Sequence, residues 1–235
     1  MASVTGIFHS PAAAQEAFQS LKAQGFTAEQ LNLLTRGESS FPVHAKQAGA
    51  MLGAATGLSI ATFLPGLGPI IGLGMLATGL IGAGLGAAAG SAVERHTHGV
   101  PNEDLYFFEE TVREGGAVIM VQTDDATQQT QARNLIERAG GRALGGVRRE
   151  WWLGVRDREQ QFLRSHGRSL DPIEDEYRSG FEAALHPTPR GRDFDQVTTY
   201  VETCYPEPCK TEAFRIGYER GQNYFRERVR AREME

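Results

Sequence analysis

VTGIFHSPAAAQEAFQSLKAQGFTAEQLNLLT, residues 4–35, reads as a strand, a helix and a second strand in immediate succession. The opening Val4-Thr-Gly-Ile-Phe8 is short and β-prone. Ser10 and Pro11 follow as a helix cap and a first-turn proline, a place where the missing N–H costs nothing. Ala14, Ala17, Phe18 and Leu21 recur at helical spacing, Gly25 stops the helix, and Leu31-Asn-Leu-Leu-Thr35 returns to strand. The pattern comes back downstream. Residues 101–114 read as a helix, Gly115 and Gly116 as a break, and Ala117-Val-Ile-Met-Val-Gln-Thr123 as a buried strand. Asp124 and Asp125 then open a helix with Ala132, Leu135 and Ile136 on one face, closed by Gly140 and Gly141. Residues 143–147 complete a set of four strands. Neither half can bury a core alone, so residues 1–147 are expected to form one small ferredoxin-like α/β sandwich, of α+β or α/β class, split by an insertion.

The insertion, residues 47–93, carries no charged residue and is built mainly of Gly, Ala, Leu, Ile and Met. Pro65-Gly-Leu-Gly-Pro69 breaks it into two arms, and an antiparallel helical hairpin is expected. Gly49, Gly53 and Gly57 in the first arm and Gly82, Gly86 and Gly90 in the second recur every fourth residue. This glycine-zipper spacing lines one helix face and lets two backbones approach closely. Residues 48–64 would extend about 25 Å as a helix and residues 70–93 about 36 Å, against a hydrocarbon core of about 30 Å. Two hiding places fit such a segment: a membrane, or protein in the form of other copies of the chain or the α/β layer. Lys46, His44, Arg95, His96 and His98 flank it, and both ends are expected on the cytoplasmic side, at the inner face of the cell membrane.

After Arg148 and Arg149 the composition changes to charge mixed with aromatics. Residues 148–170 are expected as a linker and residues 171–235 as a helical module. YRSGFE at Tyr177 to Glu182 returns as FRIGYE at Phe214 to Glu219, each with aromatics at i and i+4 and a glycine at i+3. On a helix this puts two rings and a backbone notch on one face, a surface for close helix crossing. Phe214, Gly217, Tyr218 and Gly221 are the candidate packing residues there, with Phe225 continuing the stripe.

The opening stretch, the Gly/Ala-rich centre and FFEETVREGGAVIMVQTDD with ARNLIERAG together resemble the bacterial general stress proteins of the heat-induced, 17M type, across roughly residues 3–147. The resemblance implies a stress-response context. It carries over no catalytic residues.

The remaining composition narrows the function classes. A net charge of −5 argues against wrapping nucleic acid, which needs clustered positive charge. Cys204 and Cys209 enclose Tyr-Pro-Glu-Pro, a spacing unlike a thioredoxin pair or half of a zinc site. His96 and His98 have no third ligand nearby. The sequence contains no phosphate loop with lysine, nucleophile elbow, zinc-protease helix or dinucleotide fingerprint. The acid pairs Glu109-Glu110 and Asp124-Asp125 sit where solvation and the helix dipole account for them. The expectation is a non-enzymatic, stress-associated protein without cofactor or metal, associated with the membrane through the glycine-zipper hairpin and acting through protein interaction. A soluble homo-oligomeric scaffold closed through the glycine faces is the first alternative. A sensor for an unknown small molecule is the second.

Overall fold

The computed structural model describes residues 2–36, 59–64, 68–73 and 104–233. The chain divides into two units, Met1–Arg149 and Glu150–Glu235.

The first unit is of mixed α+β class, with helices on an antiparallel sheet. Its elements are β1 (Ser3–Phe8), α1 (Pro11–Ala23), β2 (Leu31–Arg36), β3 (Ser59–Leu64), β4 (Gly68–Leu73), α2 (Leu105–Arg113), β5 (Ala117–Gln122), α3 (Ala126–Arg138), β6 (Arg142–Ala143) and the start of α4 (Leu144–Ser165). The strand order is β3-β4-β2-β5-β1-β6, with every neighbouring pair antiparallel.

Local chemistry sets the helix ends. Ser10 Oγ accepts from the Ala13 N–H, with Pro11 in the first turn. Asp125 Oδ1 accepts from the Thr127 N–H at 2.7 Å, satisfying a donor that α3 itself leaves open. Gly25 and Gly140, which follow α1 and α3, take φ of 91° and 83°, a conformation that side chains with a Cβ resist.

β5 shows why the sheet needs two covering layers, because all six of its residues are buried. Ala117, Ile119 and Val121 join a core with Phe8, Ala17, Leu21, Ala132 and Ile136, which is the α1 and α3 side. Val118 and Met120 join a second core with Leu105, Phe108 and Val112 of α2. A Cβ on Gly6 would overlap Ile136 Cγ2, so this glycine is what lets α3 press on β1.

Three expectations differ from the structure. The fourth strand is only Arg142–Ala143, and residues 144–147 open α4 instead. Leu144 and Val147 both pack on the α2-side core, a meeting that helical three-residue spacing allows and strand alternation forbids. The expected helical hairpin of residues 47–93 is, where described, a β-hairpin: β3 and β4 pair from Ser59 with Leu73 to Leu64 with Gly68, and β4 joins the outer edge of β2. The β-branched and aromatic content of Ile60, Thr62, Phe63, Ile70 and Ile71 favours that state. The expected linker at 148–170 is mostly the body of α4, because Trp152, Val155, Glu159 and Leu163 form a buried stripe at helical spacing.

The second unit continues from Glu150 along α4 and adds α5 (Glu174–Ala183), α6 (Thr198–Cys204) and α7 (Glu212–Glu233), joined through short turns at Asp171–Ile173, Phe194–Gln196 and Pro208–Lys210.

Candidate functional site

The two copies of the aromatic-x-x-Gly-aromatic motif find each other in the second unit. α5 carries Tyr177, Gly180 and Phe181, while α7 carries Phe214, Gly217 and Tyr218; the four aromatics are all fully or almost fully buried. The crossing is reciprocal: a Cβ on Gly180 would overlap the Phe214 carbonyl oxygen, and one on Gly217 the Tyr177 carbonyl oxygen. Gly221 extends the contact, with its missing Cβ directed at the Phe181 carbonyl and the Ala184 methyl group. Absent side chains bring the two backbones together, and the flanking rings close the space on either side. Of the expected packing residues, Phe214, Gly217, Tyr218 and Gly221 therefore meet at one crossing. Gly49, Gly53, Gly57, Gly82, Gly86 and Gly90 lie outside the described residues, as do His96 and His98.

Beside this crossing sits a buried charge that sequence reading missed. Glu159 of α4 is fully buried. Tyr177 donates its hydroxyl to Oε2 at 2.9 Å, Arg220 donates to both carboxylate oxygens at 2.8 and 3.0 Å, and Arg158 donates to Oε1 at 3.2 Å. Burial alone would raise this carboxyl. The hydrogen bonds from Arg220 and Tyr177, with the charges of Arg220 and Arg158, outweigh it and hold Glu159 below the usual carboxylate range. The same burial, with the Glu159 charge, pushes the Tyr177 hydroxyl up. Arg220 also lies over the Phe162 ring, 4.1 Å from its centre. The only advance signal was the position of Glu159 on the Trp152, Val155, Leu163 stripe, an acid where an apolar residue is expected.

A second ion-pair group stands at the start of α5. Arg156 donates Nε and Nη2 to Glu174 at 2.7–2.9 Å and Nη2 to Asp171, and the Trp152 indole N–H donates to Glu174 Oε1 at 2.8 Å. The Arg156 hydrogen bonds pull the Glu174 carboxyl below its ordinary range. Trp151 and Trp152 both pack against Phe181, while Trp151 also meets Tyr224 edge-on and gives its N–H to that hydroxyl.

The segment after α5 is held by backbone turns and by side chains of α7. Gln222 of α7 donates to the Pro189 carbonyl at 2.7 Å and accepts from the Gly191 N–H at 2.8 Å. Tyr218 donates toward the Pro189 and Arg192 carbonyls, and burial pushes its hydroxyl up to about 12. His186, buried, has Tyr200 at one ring nitrogen (3.2 Å) and Tyr205 at the other (3.3 Å). Cys204 is exposed and Cys209 buried, with the Cys209 thiol directed at the Pro206 carbonyl.

These groups position helices and a loop; in each, the polar atoms face one another. Among the described residues no set of three His, Cys, Asp or Glu side chains is arranged to hold a metal, and no helix is long and apolar enough to cross a membrane. Set beside family models, curated proteins and solved structures, the chain matches none of them.

Proposed function

We propose that this chain is a non-enzymatic, stress-associated scaffold that works by self-association through its charge-free segment. The stress context comes from the resemblance of residues 3–147 to general stress proteins. A ferredoxin-like reading of the first unit is supported by the order β2-β5-β1-β6, with α1 and α3 on the same core. The Glu159 cluster and the glycine crossing support a C-terminal unit that serves as a rigid body for protein contacts.

The observation that carries the proposal is the β3–β4 hairpin. It makes the centre of the uncharged segment part of the protein's sheet and sets β3 at the sheet's outer edge among the described residues. A lipid interior penalises backbone groups without partners by several kcal/mol each, whereas a second chain can satisfy them. Protein is therefore the better cover for residues 47–93. A second reading, association with the inner face of the membrane, rests on the length of the uncharged run and on Lys46 and Arg95 at its ends.

Sedimentation velocity of the full chain without detergent, next to Gly53→Leu and Gly86→Leu, tests the proposal. A soluble assembly that the two substitutions disrupt is expected. A monodisperse monomer would overturn it, and sedimentation with membranes, reversed by detergent but not by salt, would put the second reading in its place.

A further inference from the structure

We draw no further inference here: the strongest candidate, the outer edge of β3 (Ser59–Leu64) at the end of the sheet, carries nothing because nothing in the structure shows what covers it.

Discussion

Gly180 and Gly217 occupy equivalent positions in two crossing helices: each faces the carbonyl of the first aromatic in the other's motif, Phe214 and Tyr177 respectively. Gly180→Ala or Gly217→Ala must push backbone from backbone, which no side-chain rotation relieves. Each is expected to cost about 1–3 kcal/mol in the second unit. Because one crossing absorbs both, the double substitution should cost less than the two single costs added together. Urea unfolding followed by the fluorescence of Trp151 and Trp152 measures this. Single variants within about 0.5 kcal/mol of the parent would show that the helices are not in contact there.

Glu159 links stability to pH. Its folded carboxyl lies below the ordinary value, so the stabilisation is present above the usual carboxylate range of about 4.3 and is lost as pH falls through the lower folded value. Glu159→Gln should flatten this acid limb. At neutral pH it leaves Arg220 without its anion, at a cost of about 3–5 kcal/mol. Urea midpoints measured from pH 7 down to pH 3 check both parts, and an acid limb as steep in the variant as in the parent would refute the assignment.

Gln222 holds the loop after α5 through the Pro189 carbonyl and the Gly191 N–H. Gln222→Ala strips the Gly191 N–H of its partner and leaves the Pro189 carbonyl only the Tyr218 hydroxyl, which costs about 1–3 kcal/mol and frees the loop that bears Arg190 and Arg192. Limited trypsin digestion should then cut after one of these arginines well before the parent protein is cut. Equal digestion rates would mean that the clamp is dispensable.

Asp125→Ala removes the cap of α3 and should lower the stability of the first unit by about 1 kcal/mol, while Asp125→Asn keeps most of it. Thermal unfolding of the two variants side by side separates loss of the cap from loss of charge.

The elements around residues 4–35 and 117–138 were legible because several local signals agree at each boundary: the Ser10 cap with Pro11, Asp125 as the cap of α3, and positive-φ glycines at the exits. Elsewhere the deciding forces were tertiary. Residues 143–147 are β-prone as a string, but Leu144 and Val147 reach the same core only as a helix. In residues 47–93 the glycine spacing spoke for helices, yet those glycines flank the described strands, and the run between them is rich in β-branched and aromatic residues. For the helical unit the repeated motif disclosed its packing residues. The partner of each motif was not disclosed, because nothing in YRSGFE or FRIGYE says that the two would cross each other. The Glu159 cluster was hidden for the same reason: Tyr177 and Arg220 are joined to Glu159 only by the fold.

The reciprocal crossing constrains sequence change as well as stability. A bulkier residue at 180 or at 217 opens the same seam, so neither position can drift alone, and tolerated change should arrive as paired replacement across the two helices. Tyr177 and Phe214, by contrast, face each other's glycine in matching ways, yet only Tyr177 spends its hydroxyl on Glu159. One copy of the repeated motif is thus committed to charge while the other stays apolar, so moving the acid to the other helix would require moving the tyrosine with it.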